Sequence, residues 1–412
     1  MSAENRIDQI SQLPQDQLQR IFIPLLKEVT DINAQITVKL VEKIGQGQYS
    51  FGFKVIIEIL GQDYPFFIKT ERDKDMDESG LDIARRMDII KSSRPRDGIV
   101  KSYGTFGLMK DSVIRVTEET VTSSQLQNLD LILAIQDLLD PAEYTQMLSF
   151  LGQLGLSTIQ SAENLGQTEV TTQAIRSLYE EVTKKMILVH DAPLSPAIKG
   201  RARELYQNGI SHVIEDSTRL NGLAALMPQF SQGTIDAERV DLLKQKMMEL
   251  AVRYAQDARE RLAPIHGDFW SANIFVSTLK TENRVEIIDP ASVGFGDPGY
   301  DVVFANADLA FLDANRSRGV TLSGEYSQMA DEFVERYAGD ANDRHIRKYM
   351  ALFYGYKAFV SALFDAGDNQ EQRRKLFDSA LGVVELALAD PEFEFSFKRL
   401  DAYALAGEQL RT

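Results

Sequence analysis

Two short runs of the chain concentrate its polar chemistry: HGDFWSAN at residues 266–273 and VEIIDP at residues 285–290. Asp268 and Asn273 are five positions apart in the first run, and Asp289 closes the second, which reads as an apolar strand. Phosphoryl transfer requires one carboxylate facing the attacking hydroxyl and two oxygen ligands that hold Mg²⁺ on a nucleotide. The spacing therefore predicts a phosphoryl-transfer site built from these three side chains.

Each residue of this predicted site also has an ordinary structural explanation. A single loop aspartate such as Asp268 usually caps a helix or a turn, but at this spacing we interpret it as the catalytic base. Asn273 and Asp289 are predicted as magnesium ligands rather than as a turn residue and a strand-end residue, because the three positions occur together. His266 is predicted to support the shape of the loop through backbone hydrogen bonds rather than to ionise.

The composition is that of a globular protein large enough for two lobes. Of the 412 residues, 44% are hydrophobic and 26% are charged, and there is no cysteine to form disulfides or thiolate metal sites. Residues 1–19 lack the features of a signal peptide, and no apolar run reaches the roughly 18–20 residues of a membrane span. A cytoplasmic protein is therefore expected. The net charge of −16 disfavours nucleic acid and anionic membranes as partners.

Residues 1–118 are predicted to form a small N-terminal nucleotide-binding lobe. The glycine-rich run GQGQYSFG at residues 45–52 would bring Gly45, Gly47 and Ser50 close to phosphates, although a plain hairpin turn has the same composition. Alternating patterns predict strands at 38–44, 53–60, 64–70, 99–106 and 112–117, with a helix at 78–92.

Three further positions of this lobe are assigned to the nucleotide. Lys69 lies near the end of the third predicted strand, where a kinase-type lysine contacts the α- and β-phosphates; without its surroundings it would read as an exposed strand lysine. Its acidic partner is predicted on the following helix, where Glu78 is preferred and Asp82, four residues later on the same face, fits nearly as well. Glu118 falls in the segment 116–119, which is predicted to link the lobes and to bind adenine through main-chain groups.

Residues 119–412 are predicted to form a larger, mainly helical catalytic and substrate-binding lobe. The fold class is therefore α+β and bilobal, with a small antiparallel-sheet lobe preceding the helical one and the nucleotide in the cleft. A strand–loop–strand region around residues 264–289 interrupts the helices. An N-terminal helix is expected within residues 7–29. The helices of the second lobe are expected at 126–139, 142–154, 172–189, 198–208, 237–261, 327–337, 344–365 and 370–389.

The first run resembles the protein-kinase catalytic loop H-R-D-L-x-x-x-N, with Gly267 in place of the arginine. Together with Ile-Asp-Pro, it is similar to the aminoglycoside phosphotransferase and choline kinase superfamily, which has a protein-kinase-like fold. The resemblance implies Asp268 as the base, and Asn273 and Asp289 as magnesium ligands for ATP. The later run GDPGYD, residues 296–301, is similar to the family's G-D-P-x-x-D-[LV] segment, whose second aspartate, here Asp301, braces the catalytic loop.

The acceptor is left open by the sequence. The loop also resembles that of fructosamine kinases, in which Trp is followed by Ser, but the first lobe lacks the usual glycine loop of that group. Trp270, the one tryptophan of the chain, either packs the loop or stacks on a sugar. The segment between residues 119 and 266 and the C-terminal helices would form a pocket for a small hydroxylated molecule: an amino sugar, aminoglycoside, ketosamine or amino alcohol. Acidic residues there would favour a cationic acceptor.

Two other functions are compatible with the same motifs. A protein kinase-like enzyme would modify a protein, but no Ala-Pro-Glu segment follows Asp289. A non-catalytic nucleotide-binding module would not need Lys69, Asp268, Asn273 and Asp289 together. Nothing in the sequence indicates an oligomeric state.

Overall fold

In a computed structural model, the chain divides into two compact units: Met1–Glu143 with Asp289–Val293, and Tyr144–Ile288 with Gly294–Thr412. The structure describes positions 20, 22, 23 and 27 and residues 36–46, 50–71, 102–109, 112–115, 131–139, 143–153, 165–191, 235–257, 263–277, 284–288, 294–341, 346–364 and 369–410.

The first unit contains a six-stranded sheet in which every pairing is antiparallel. The spatial order of its strands is β1-β2-β3-β6-β4-β5. The strands are β1 Ile36–Gln46, β2 Ser50–Ile59, β3 Gln62–Glu71, β4 Ser102–Met109, β5 Ser112–Arg115 and β6 Leu131–Asp137. The antiparallel sheet predicted for this part of the chain is confirmed.

Alternation explains why β2 and β3 form a hairpin. Val55, Ile57 and Ile59 are buried, whereas the residues between them are partly exposed, so one face of the strand is directed into the core. The turn consists of Leu60 and Gly61, both with positive φ (53° and 82°). Two consecutive positive φ angles match the right-handed twist of the flanking strands, which is why two-residue hairpins use them.

The strand β6 corrects the predicted helix at residues 126–139. It lies beyond residue 118, where we expected the first lobe to end. A short apolar run such as LILAIQD fits a buried strand and a buried helix equally well by periodicity. The neighbouring strands favour the strand, because β6 hydrogen-bonds to β3 on one side and to β4 on the other. Ile135 is fully buried.

The second unit is mainly helical, as predicted. Its short strands form a three-stranded sheet in the order β10-β9-β7 and a two-stranded sheet β11-β8. The elements are β7 Tyr144–Gln146, α1 Met147–Gln153, α2 Leu165–His190, α3 Ala237–Asp257, β8 Ala263–Ile265, β9 Ile274–Ser277, β10 Arg284–Ile287, β11 Gly294–Gly296, α4 Gly299–Arg316, α5 Glu325–Asp340, α6 Ile346–Phe364, α7 Gln370–Ala389, a 3₁₀ turn Phe397–Arg399 and α8 Leu400–Gln409. None of the described helices is long and apolar enough to span a bilayer.

The helix α4 was not predicted from the sequence. Of its 18 residues, 14 are buried, because it packs against both α5 and α6. A helix that is covered on most sides lacks the polar stripe that reveals an amphipathic helix in a sequence. Its N-terminus follows directly from β11 through the segment 297–298, so the strand that pairs with β8 also sets where α4 begins.

The last two helices cross at a pair of glycines. A Cβ atom on Gly382 of α7 would stand 1.9 Å from the carbonyl oxygen of Tyr403, and one on Gly407 of α8 would stand 1.9 Å from that of Asp378. Both distances are far below van der Waals contact, so the two backbones touch directly. The missing side chains are what permit this approach.

Candidate active site

The candidate site is the loop between β8 and β9, residues 266–273. Gly267 has a φ of 78°, in the left-handed region that residues with a Cβ atom rarely adopt. This explains in physical terms why glycine stands where the protein-kinase loop has arginine. The turn that follows is closed by backbone bonds from Trp270 N to Asp268 O (3.1 Å) and from Asn273 N to Trp270 O (2.9 Å).

Asp268 and Asn273 are in direct contact. The Nδ2 atom of Asn273 donates to the backbone oxygen of Asp268 at 2.9 Å and to its Oδ2 at 2.6 Å. Both partners are acceptors, so the amide nitrogen must face them and the amide oxygen Oδ1 must point elsewhere. At this five-residue spacing, the Asn273 amide holds one oxygen of the Asp268 carboxylate in place. Its own Oδ1 points away from Asp268, as it must in order to bind a metal ion.

Both ends of the loop are linked to Ile288, the residue that follows β10. Ile288 N donates to the backbone oxygen of Asn273 (2.9 Å), and the Nε2 of the fully buried His266 bonds to the oxygen of Ile288 (2.9 Å). Because a carbonyl only accepts, Nε2 carries the hydrogen. Ile288 immediately precedes Asp289 in the sequence, and Asp289 itself lies outside the described residues.

Asp301, in the first turn of α4, holds the entrance of the loop. Its carboxylate accepts from His266 N at 2.6 Å and from Gly267 N at 2.9 Å, and the side chain is fully buried. A carboxylate that accepts from two backbone amides makes strong charge-assisted bonds and removes the freedom of both residues. The structure thus brings Asp301 and His266 together, the two positions predicted to support the loop.

Two buried side chains from other helices extend this support. His190, the last residue of α2, places Nε2 3.0 Å from Asp301 Oδ2 and Nδ1 2.7 Å from the hydroxyl of Tyr337 on α5. The rings of His190 and Tyr337 also meet edge to face, with centroids 5.5 Å apart. The carboxylate is therefore oriented by a chain of polar contacts that sequence reasoning did not identify.

A second α4 carboxylate, also missed from the sequence, holds the middle of the loop. Asp308 Oδ2 accepts from Ser271 N at 2.8 Å and from Ser271 Oγ at 2.7 Å. Asp301 and Asp308 are seven positions apart, and seven residues make almost two helical turns, so both face the same side. Burial raises the pKa of Tyr179 on α2, and the Asp308 carboxylate raises it further, so that phenol stays protonated. The seven-residue spacing was the signal that could have revealed Asp308.

Lys357 on α6 completes this side of the site. Its ammonium lies 2.8 Å from Asp308 Oδ1 and 5.2 Å from the centroid of the Trp270 ring. The indole nitrogen of Trp270 is buried and meets no acceptor among the described residues. A lysine inside the otherwise apolar run LFYGYKAFVSALF, residues 352–364, was the available signal, since buried lysines are almost always paired.

The residues assigned to the nucleotide belong to the first unit. Lys69 lies in β3, where it pairs with Gly52 of β2 and Ala134 of β6. Gly45 lies in β1 opposite Gly52, next to a register shift, and Ser50 begins β2. The predicted positions outside the described residues are Gly47, Glu78, Asp82, Glu118 and Asp289.

Chemically, the loop offers one acceptor carboxylate and one directed amide oxygen. Asp268 is half-buried, whereas Asn273 is buried and held by its bonds to Asp268. An oriented carboxylate beside a hard oxygen donor suits a hydroxyl and a hydrated divalent cation. The donor set therefore fits magnesium, with Asp289 as the second protein ligand expected from the sequence.

The comparisons with known families agree with this chemistry. Residues 210–341 match the sequence model of the phosphotransferase enzyme family. This range contains the loop and both α4 carboxylates. It confirms the resemblance and the class of enzyme predicted from the sequence, a phosphotransferase. No curated protein sequence matches the chain.

Three solved structures illustrate what the fold is similar to. An ethanolamine kinase from Plasmodium vivax is 12% identical, with a TM-score of 0.44, and covers 90% of this chain and 81% of its own. A spectinomycin phosphotransferase in complex with ADP and spectinomycin is 13% identical, with a TM-score of 0.43 and coverage of 94% and 98%. A putative fructosamine-3-kinase from Haemophilus somnus is 11% identical, with a TM-score of 0.38 and coverage of 88% and 99%. Because these TM-scores are below 0.5, the assignment depends on the family match and the loop geometry.

Proposed function

We propose, because residues 210–341 match the sequence model of the phosphotransferase enzyme family, that this chain transfers the γ-phosphate of ATP to a hydroxyl of a small molecule. The observation that carries the proposal is the contact between Asp268 and Asn273 in a loop held by two α4 carboxylates. An ordinary turn does not need this many hydrogen bonds to distant side chains. It is what a reaction that depends on positioning requires.

Asp268 is assigned as the residue that orients the acceptor. Asn273 holds Oδ2 in place, and the carboxylate so oriented is assigned to accept a hydrogen bond from the substrate hydroxyl. That bond directs the hydroxyl oxygen at the γ-phosphorus, in line with the bridging oxygen that leaves with ADP. As the new P–O bond forms and the old one breaks, the hydroxyl proton passes to the carboxylate and then to solvent or product.

Magnesium would be held by the oxygen of Asn273 and by Asp289. When bound, it supplies neutralisation of the charge that builds up on the phosphate oxygens. Lys69, Gly45, Gly47 and Ser50 are proposed to hold the phosphates. Glu118 is proposed to lie where main-chain groups bind adenine. Glu78, with Asp82 as its alternative, is proposed as the acid that pairs with Lys69.

The acceptor proposed is an amino sugar, an aminoglycoside, a ketosamine or an amino alcohol. The net charge of −16 mildly favours a cationic acceptor through long-range attraction. We propose that the protein acts in the cytoplasm. Nucleic acid and anionic membranes are disfavoured as partners by the same charge.

An ATP-consumption screen over these four acceptor classes tests the proposal. We expect ADP formation that depends on one acceptor class and on Mg²⁺, and that disappears in the Asp268→Ala variant. Phosphorylation of a protein substrate, with none of the small molecules accepted, would replace this proposal with a protein kinase-like function. Nucleotide binding without any transfer would identify a non-catalytic module.

A further inference from the structure

A buried lysine on α6 carries a charge that the proposed reaction does not use. Lys357 is 3% exposed, and its Nζ lies 2.8 Å from Oδ1 of Asp308. The other oxygen of that carboxylate accepts both donors of Ser271. The Asp308 carboxylate therefore links the Lys357 ammonium, through Oδ1, to the loop residue Ser271, through Oδ2.

Lys357 also contacts the loop directly, without Asp308 between them. Its ammonium stands over the ring of Trp270 at 5.2 Å from the centroid and over that of Phe304 on α4 at 5.6 Å. Both distances lie within the range of attraction between a cation and an aromatic face. One face of the indole is thus already occupied by a protein cation, which favours loop packing over sugar stacking for that face.

We propose that Lys357 is a positioning residue for the phosphotransfer loop. It holds the Asp308 carboxylate directed at Ser271, and it fixes the ring of Trp270. Without the ammonium, a largely buried carboxylate would be left without its charged partner and would turn towards water or another donor, away from Ser271. Asp268 lies three residues before Ser271 in the same turn, so a shift of Ser271 displaces the reacting carboxylate. The effect on turnover rests on the proposed function, whereas the effect on loop geometry does not.

The single tryptophan provides a readout that requires no substrate. Because Trp270 is the chain's one indole and faces the ammonium, its emission maximum reports the local position of the loop. The informative variants are Lys357→Met, which removes the charge, and Lys357→Arg, which keeps it. A third, Lys357→Met with Asp308→Leu, removes both charges while filling the space, which buried pairs often tolerate.

We expect Lys357→Met to shift the emission maximum and to lower kcat by about 100-fold, because displacement of a reacting group by about 1 Å costs that much. The KM for Mg·ATP should change much less than kcat, since the proposed ligand Asn273 is also held by the bond from Ile288 N to its backbone oxygen. Lys357→Arg should recover most of both properties. The double variant should fold, because no buried charge is left unpaired, yet remain slow, because Ser271 has lost its acceptor.

A buried ion pair elsewhere in the unit serves as the control. Arg239 of α3 lies 2.7 Å from Asp378 of α7, with 10% and 4% of the side chains exposed. Arg239→Met should lower the melting temperature while leaving the Trp270 emission and the kcat of the folded enzyme unchanged. If Lys357→Met acted only by lowering stability, it and Arg239→Met would show the same changes. If it displaces the loop, the Trp270 emission and kcat change in Lys357→Met and not in Arg239→Met.

The proposal is overturned if Lys357→Met is folded with wild-type emission and kcat. If that variant does not fold, the double variant decides, and wild-type emission with wild-type kcat in it overturns the proposal. Should the wild-type protein transfer no phosphate to any acceptor, the proposed function fails on its own. The emission shifts of the three variants and of Arg239→Met would then still test the positioning role.

Discussion

Asp301 and Asp308 lie seven residues apart on α4 and bind backbone amides of one loop at two separate points. Seven residues advance a helix by about 10.5 Å along its axis while returning almost to the same face. Asp301 fixes the loop at His266 and Gly267, and Asp308 fixes it at Ser271. Asp268 lies between these points, so its position is set by a single rigid helix.

Replacing Asp268 with asparagine tests its assignment as the base. The amide has nearly the same shape and can still accept from Asn273, but it can no longer accept a proton. We expect kcat to fall by about 10²- to 10⁴-fold, the usual contribution of a general base, with nucleotide affinity nearly unchanged. Steady-state kinetics and calorimetry measure the two quantities.

The matched control is Asp340→Asn on α5, whose side chain is 59% exposed. It removes the same charge away from the loop and should leave kcat unchanged. A turnover of Asp268→Asn within about threefold of wild type would mean that another group orients the hydroxyl.

Asp289→Ala is predicted to remove the magnesium dependence of nucleotide binding. A hard carboxylate ligand would be lost, and Mg²⁺ needs few protein ligands because phosphates and water supply the others. Calorimetric titrations with Mg·ATP, and with ATP in the presence of a chelator, should give the same weak affinity for this variant. Asp268→Asn serves as the comparison, since it should keep the magnesium effect. Normal Mg·ATP affinity in Asp289→Ala would contradict the ligand assignment.

Asp301→Asn should destabilise the second unit and slow turnover. The carboxylate accepts from two backbone amides and faces the ring nitrogen of His190, whereas an amide must turn its NH₂ group towards at least one donor. We expect the free energy of unfolding to fall by at least about 2 kcal/mol, the cost of a buried donor without an acceptor. Urea denaturation measures it.

Tyr337→Phe provides the graded comparison for Asp301→Asn. It removes the outer hydrogen bond to His190 and leaves the Asp301 carboxylate in place, so the loss should be about 1 kcal/mol. Equal effects of the two substitutions would show that Asp301 does not dominate the network.

Gly382→Ala tests the crossing of α7 and α8. The added methyl would stand 1.9 Å from the carbonyl oxygen of Tyr403, so the helices must separate, and we expect a loss of at least about 2 kcal/mol. Gly339→Ala on α5 is the control, because nothing lies within 4 Å of its Cβ position. There the substitution should stabilise the protein by about 0.4–1 kcal/mol. Denaturation midpoints that move in the same direction would refute this account of the crossing.

The contact between Asp268 and Asn273 was predictable because it is local. A five-residue turn between two strands closes on itself, and the residue types that can bond across it are visible in the sequence. The same holds for the hairpin of β2 and β3, whose turn is specified by two neighbouring residues. The roles of Asp289, Lys69 and Glu118 in catalysis and nucleotide binding stay predictions.

The errors occurred where packing rather than local pattern decides. The run of β6 forms a strand because β3 and β4 lie on either side of it, and no helix or strand periodicity distinguishes such a run. The helix α4 escaped prediction because its burial removes the polar stripe. Both are cases in which tertiary contacts override a local signal.

By itself, the amino-acid sequence determined the class of chemistry, since the residue types and spacing of HGDFWSAN permit few other uses. It also indicated that the first part of the chain contains antiparallel strands and that the second is mainly helical, because alternation and helical periodicity are local properties. Only the tertiary structure decided which distant groups hold the loop. His190, Asp308 and Lys357 reach it from three helices separated by long stretches of chain, and their convergence results from burial that no local pattern encodes.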